Sequence, residues 1–238
     1  MREETKIVSF DYEKETKLHY QDPRVAESYH QNFTSGYSLR RLRSKWIAYR
    51  ERKIIRDYLL SIPHSKILDI PTGTGKLAPV LKDVANTVVA CDVSNEMISI
   101  AKKEFDRINF DRVRFVCAGV EEIGTTLNEE RFDAVVCLRL LHRVPNHLKA
   151  SFLSKLSVLS PNLIVSIVVD SKWDAFRRGL ARRLFGVKHH DLRETLLTRK
   201  AFNALIDREF NVVSEKNVSR LLSGGRIYLL CANPALKT

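Results

Sequence analysis

Cysteine is scarce in this 238-residue chain, and no two of its four cysteines stand in C-x-x-C spacing. Cys91, Cys117, Cys137 and Cys231 each close an apolar run (VVAC, RFVC, AVVC, YLLC), which predicts strand-end packing of free thiols in a reduced protein, with no disulfide and no zinc site. Long apolar runs are missing as well. No window approaches the roughly 18 residues of a membrane-spanning helix, and the opening MREETKIVSFDYEKE is charged where a secretory signal would be apolar. A soluble, cytoplasmic protein is expected. Acidic residues are outnumbered, 28 against 40 Lys and Arg, for a formal charge of +12. Such a surface attracts anions, which fits nucleic acid, an anionic membrane face or an acidic substrate, but equally an enzyme whose surface is simply basic. There is no internal repeat and no low-complexity tract.

What the chain does have, from Ser65 onward, is a regular alternation. Short β-rich runs at 66–70, 87–91, 113–116, 132–138, 162–169, 212–216 and 227–232 are separated by helical stretches, and several of the runs are apolar throughout, as strands buried on both faces are. Ser94 precedes a helical spacing of Met97, Ile98 and Ala101 as an N-cap. Residues 146–159 place Leu148, Phe152, Leu156 and Leu159 on one face, and Thr198 opens a helix with Phe202, Leu205 and Ile206 inward. The connection SRLLSGGR between the last two runs is too short for a crossover helix, so they should form an antiparallel hairpin. The first 64 residues differ: they are rich in Arg, Lys and Tyr, with one long helix over 38–60 carrying eight basic residues. The expected architecture is a Rossmann-like α/β domain over 65–238, with a seven-stranded, mostly parallel sheet whose last strand is antiparallel, behind an N-terminal helical cap segment over 1–64. A second irregular region, 171–197, interrupts the alternation.

The sharpest local signal is Ile67-Leu68-Asp69-Ile70-Pro71-Thr72-Gly73-Thr74-Gly75-Lys76-Leu77, a strand ending in a glycine-bearing turn that enters a helix. Glycines allow positive φ and a close approach of backbone to ligand, and the helix start offers free N–H groups. The same glycines serve equally to make the turn. Gly73 to Ala78 satisfy G-x-G-x-x-A, with Asp92 at the end of the second strand, so a nicotinamide dinucleotide is one reading. A nucleotide P-loop fits less well, because Ile70 stands where glycine is needed and Leu77 where Ser or Thr is.

The order of features after the loop distinguishes these ligands. Asp69 closes the first strand, Asp92 the second, Gly119-Val120-Glu121-Glu122 follows the third, and FDAVVCLRLLHRVP spans the fourth. This series resembles class I S-adenosylmethionine-dependent methyltransferases, and within them the small-molecule branch that includes ubiquinone and menaquinone biosynthesis enzymes. The resemblance implies S-adenosylmethionine as methyl donor and S-adenosylhomocysteine as product. It implies that Asp69, Pro71, Thr72, Gly73 and Gly75 surround the methionine part, that Asp92 accepts hydrogen bonds from the ribose hydroxyls, that Val93 and Met97 flank the adenine, and that Gly119 and the Val120 amide lie at its edge. Leu138 and Arg139 would lie near the sulfonium and the acceptor. The sequence departs from the family pattern at Pro71, where the first loop glycine is usual, and at Gly119, where an acidic residue often reads the adenine amino group.

The acceptor side is less determined. Transfer from a sulfonium is an in-line displacement that requires alignment and, for a hydroxyl or amine, removal of a proton. His142, after the fourth strand, is the candidate base because histidine ordinarily titrates near neutrality; a plain helix-start contact is its bland reading. Arg139 suits an anionic acceptor or, equally, a structural ion pair. His30, Tyr37, His189 and His190 lie in the two cap-like regions. No D-P-P-Y or N-P-P-Y sequence follows the fourth strand, which argues against methylation of nucleic-acid bases, and no Cys or His cluster suggests a metal. The expected activity is methyl transfer to a small-molecule or lipid-linked acceptor, with peripheral contact between the basic cap and an anionic membrane left open. An RNA or DNA methyltransferase, a NAD-dependent oxidoreductase and a catalytically silent cofactor-binding partner subunit are the alternatives.

Overall fold

The computed structural model describes residues 21–22, 24, 39–63, 65–128, 130–169, 195–207, 209–219 and 223–233. Apolar runs become strands because both of their faces are covered. In β4 (Ala134–Cys137) every residue is buried, and β1 (Lys66–Asp69), β2 (Thr87–Asp92) and β5 (Asn162–Val168) are buried over most of their length. With β3 (Val113–Cys117), β6 (Phe210–Ser219) and β7 (Ser223–Ala232) they form one seven-stranded sheet of order β3-β2-β1-β4-β5-β7-β6. Pairings are parallel from β3 through β5, while β7 runs antiparallel to both β5 and β6.

Alternate residues of each strand feed two cores. Leu68, Val89, Val135 and Val165 face Phe152 and Leu156 of α5 (Lys149–Leu159), Phe202 of α6 (Arg199–Ile206) and Ile123 of α4 (Ile123–Thr126). Ile67, Val88, Ala90 and Val136 face Leu81 of α2 (Ala78–Val84), while Phe105 of α3 (Asn95–Arg107) and Ile55 and Leu59 of α1 (Leu39–Leu60) belong to the same cluster. The long basic helix therefore shares the core of the sheet. Burying one such leucine or phenylalanine contributes about 1.5–3 kcal/mol. Ser94 caps α3, its Oγ accepting from the Met97 N–H at 3.1 Å, and Thr198 caps α6 through the Ala201 N–H at 3.2 Å. Each such cap contributes about 1 kcal/mol.

Three expectations need correction. The hairpin strands are longer than 212–216 and 227–232, because the ladder runs through the Ser-Gly-Gly-Arg stretch: Gly225 pairs with Val168 and Ser223 with Ser219. Residues 146–159 are not one α-helix but a 3-10 turn, Asn146–Leu148, after Pro145, followed by α5. Cys91 and Cys137 are buried as expected, whereas Cys117 is exposed and Cys231 half-buried, since β3 lies at the sheet edge and Cys231 near the end of β7. All four are free thiols. Among the described residues no helix is long and apolar enough to cross a membrane.

Candidate functional site

The turn after β1 is organised by the carboxylate at the end of β2. Asp92 Oδ2 accepts from the Gly73 N–H at 2.8 Å, Oδ1 accepts from the Ser94 N–H at 3.0 Å, and the Thr72 N–H donates to the Cys91 carbonyl at 2.7 Å. Both glycines of the loop adopt positive φ, 54° at Gly73 and 74° at Gly75, a region in which side chains are strained. Their surroundings differ. A Cβ on Gly73 would meet no atom within 4 Å, so that glycine borders open space; one on Gly75 would stand 3.1 Å from Ala101 Cα and 3.2 Å from Glu104 Cβ of α3. Gly75 thus permits helix and loop to approach closely.

A cleft opens at the carboxyl ends of β1, β2 and β4, the place where open α/β sheets bind ligands. Asp69, Pro71, Thr72, Gly73, Asp92, Val93, Met97, Leu138 and Arg139 all line it. Gly119 and Val120 line a smaller cavity that shares Pro71, Asp92, Val93 and Leu140 with the cleft and also contains Glu121. Gly75 and His142 are not in the cleft wall. Several lining residues went unread in the sequence: Ala48, Glu51 and Arg52 from α1, Thr74 and Lys76 from the loop, and Arg143. An acid within a run of eight basic residues was the available signal for Glu51. His30, Tyr37, His189, His190 and the irregular region up to residue 194 lie outside the described residues.

Charge in the cleft is poorly hydrated. Asp69 is 1% exposed, and its carboxylate oxygens have no close hydrogen bond beyond the interaction with the Thr72 hydroxyl. Burial, held back by the Thr72 hydroxyl and reinforced by the charge of Asp92, pushes its pKa up to about 7. Asp92 is raised to about 6 by burial, held back by the backbone N–H groups that it accepts from. Lys76 is pushed down to about 6 by burial and then by the Arg139 charge.

Arg139 leaves β4 at φ 62°, its N–H donating to Ser166 Oγ at 2.7 Å. Its guanidinium forms a two-point ion pair with Glu51 of α1, the Nε bond measuring 3.2 Å. His142 lies in a neighbouring cavity with its Nδ1 buried and without a hydrogen-bond partner. The expected titration near neutrality does not hold there. Burial, and then the charges of Arg139 and Lys149, push the imidazole down to about 4, leaving it neutral at physiological pH and a weak base. The turn that carries His142 is fixed by the buried Lys149, whose ammonium donates to the carbonyls of Val144 and Thr195, the latter at 2.8 Å.

Comparison with known proteins places this geometry. Residues 67–162 match the methyltransferase-domain family. The ubiquinone biosynthesis O-methyltransferase of Coxiella burnetii is 26% identical over 87 residues, 37% of this chain and 36% of that protein. The enzyme of the same name from Dechloromonas aromatica is 28% identical over 114 residues, 48% and 44% of the two chains. The chain therefore matches less than half of the length of these curated relatives. In structure it resembles the magnesium protoporphyrin IX methyltransferase of Synechocystis with bound S-adenosylhomocysteine, with a TM-score of 0.75 over 91% of this chain and 98% of that one at 15% identity. It also resembles the N-methyltransferase NodS of Bradyrhizobium japonicum, with a TM-score of 0.59 over 78% and 86% at 14% identity. Residues 67–162 match the methyltransferase-domain family, and the chain shares the fold of these solved methyltransferases.

Proposed function

We propose that this chain transfers a methyl group from S-adenosylmethionine to a small-molecule acceptor and releases S-adenosylhomocysteine. The observation that carries the reading is Asp69. A buried carboxylate with no close hydrogen bond beyond the Thr72 hydroxyl, facing a cleft, calls for a cationic ligand group, and the methionine ammonium is such a group. Asp92, having accepted two backbone N–H bonds, keeps lone pairs for two ribose hydroxyls. Pro71, Thr72 and the open space beside Gly73 receive the methionine chain, and Lys76 stands at the cleft for its carboxylate. Val93 and Met97 supply apolar faces for adenine, with Gly119 and Val120 at the adjoining cavity. S-adenosylmethionine supplies the activated methyl as a sulfonium, and Leu138 and Arg139 border the position from which it is passed on.

The names of the relatives, a ubiquinone O-methyltransferase and a magnesium protoporphyrin methyltransferase, favour a small or lipid-linked acceptor over RNA or DNA, and the family match favours a methyl donor over a nicotinamide. Calorimetric titration with S-adenosylmethionine, S-adenosylhomocysteine and NAD tests the reading: saturable binding of the first two and none of NAD is expected, and tight NAD binding alone overturns it. Label transfer from radioactive S-adenosylmethionine into an extract distinguishes an enzyme from a silent binding fold.

A peripheral membrane contact has its own observation. Leu42, Trp46 and Tyr49 of α1 are 53%, 42% and 56% exposed, lie on one helical face by spacing, and are accompanied by the exposed Lys45 and Lys53.

A further inference from the structure

A second cavity, of about 290 Å³, adjoins the cofactor cleft above β5 and β7 and shares Glu51, Arg139 and Arg143 with it. It is roughly twice the 150 Å³ that accommodates a benzene ring in an apolar core. Among its described lining residues stand three guanidiniums, Arg139, Arg143 and Arg226, against one carboxylate, Glu51, while Arg226 also pairs through Nη1 with Glu215 outside the lining. Its wall also holds two buried nitrogens without hydrogen-bond partners, Arg226 Nε and His142 Nδ1. The first is a fixed donor. Ser166, whose hydroxyl accepts from the Arg139 N–H, lines the floor.

Resting on the methyltransferase reading, we propose that this second cavity is the acceptor chamber and that it takes an acceptor bearing a carboxylate, docked on the guanidiniums of Arg143 and Arg226 beside the Arg139–Glu51 pair. The pair itself shows the chemistry: Arg139 already holds a carboxylate in two-point geometry at the boundary between the cavities. A ligand carboxylate supplies the acceptor that Arg226 Nε lacks. Burial pushes Arg143 down to about 10, so an anion placed beside it recovers part of the desolvation cost of that charge. A neutral amide of the same shape could accept from the donor through one oxygen, but it would place an N–H group against the guanidiniums and leave their charge uncompensated, so the carboxylate is favoured.

The test uses the whole chain saturated with S-adenosylhomocysteine, whose own binding is first measured by calorimetry. Ligand-observed NMR then compares benzoate with benzamide, two probes of one shape that differ in charge. Benzoate should bind at least tenfold more tightly than benzamide, and Arg143→Gln or Arg226→Gln should remove that preference. Equal binding of the two probes, no binding of benzoate, or a preference unchanged in both folded variants overturns the proposal. The wild-type comparison alone decides if a variant does not fold. Should the protein bind S-adenosylhomocysteine but show no benzoate preference, the chamber assignment falls and the methyltransferase reading stands. Failure to bind S-adenosylhomocysteine removes the methyltransferase reading, and the chamber with it.

Discussion

The guanidinium of Arg139, projected from a residue in left-handed conformation at the end of β4, is paired with Glu51 of α1, and the two side chains are 20% and 10% exposed. The pair joins the N-terminal helix to the sheet at the boundary of both cavities. A carboxylate or guanidinium left alone in so dry a position costs more than the pair contributes. Glu51→Ala and Arg139→Ala should therefore each lower unfolding stability by about 3 kcal/mol, and the double substitution should cost clearly less than the sum. Urea denaturation of the four proteins measures this; strict additivity would mean that the two groups do not interact.

Asp69 and Asp92 are carboxyls whose folded pKa values, about 7 and about 6, lie above the ordinary value near 3.8. These two groups therefore hold more protons in the folded protein than in the unfolded chain between about pH 4 and 7, and their contribution to stability falls as pH rises through that window, opposed by His142 and Lys76, whose folded values of about 4 and about 6 lie below the ordinary ones. This is the reverse of the usual carboxylate effect. Affinity for a cationic ligand should move the other way, strengthening as the two groups ionise between pH 5.5 and 7.5. The difference between thermal melts of the ligand-free wild type and of Asp69→Asn isolates the Asp69 contribution, and its slope should be opposite to that of calorimetric affinity for S-adenosylmethionine across the same range. Asp69→Asn should flatten the latter. Parallel slopes would contradict the assignment of Asp69 to the ligand ammonium.

Gly73 and Gly75 look alike in sequence and should separate on substitution. At Gly73 a side chain meets nothing within 4 Å, so Gly73→Ala should keep the fold at a cost of about 1 kcal/mol for its positive φ while weakening S-adenosylmethionine binding by filling the ligand's space. Gly75→Ala adds to the same strain a Cβ 3.1 Å from the backbone of α3, and should lose about 2–4 kcal/mol from the two effects. Melting temperature and calorimetric affinity of each variant would check this; equal losses of stability would refute the distinction.

The pattern of gains and misses in the sequence has a physical basis. Strands β1, β2, β4 and β5 were legible because residues buried on both faces leave unbroken apolar runs, and the loop from Asp69 to Gly75 because backbone geometry there restricts the residues. The hairpin ends were not, since Ser223 to Gly225 carry turn chemistry and are held in the ladder by β5 and β6. Glu51 and Arg143 were missed because their role arises from tertiary proximity over 88 residues in one case and from burial in the other. His142 could be located by its place after β4, but its protonation depends on desolvation and on Arg139 and Lys149 nearby, which spacing does not encode.

The last prediction concerns the outer face of α1. Its inner face is committed, with Ile54, Ile55, Tyr58 and Leu59 buried in the sheet's core and Glu51 on Arg139. Outward, Leu42, Trp46 and Tyr49 recur at four- and three-residue steps, and Arg50 lies over the Trp46 ring at 5.8 Å. Apolar and aromatic groups flanked by cations suit the boundary of an anionic bilayer, where each basic residue near the surface contributes about 1 kcal/mol. A helix whose outer face is only solvated would show no such preference. Sedimentation with phosphatidylserine-containing vesicles at low salt should pull down the wild type, neutral vesicles should not, and Trp46→Ser with Tyr49→Ser should release it. Because neither side chain enters the core, melting temperature should change little in that variant. If the wild type stays in the supernatant with anionic vesicles, the acceptor must reach the cleft without a membrane docked on this face.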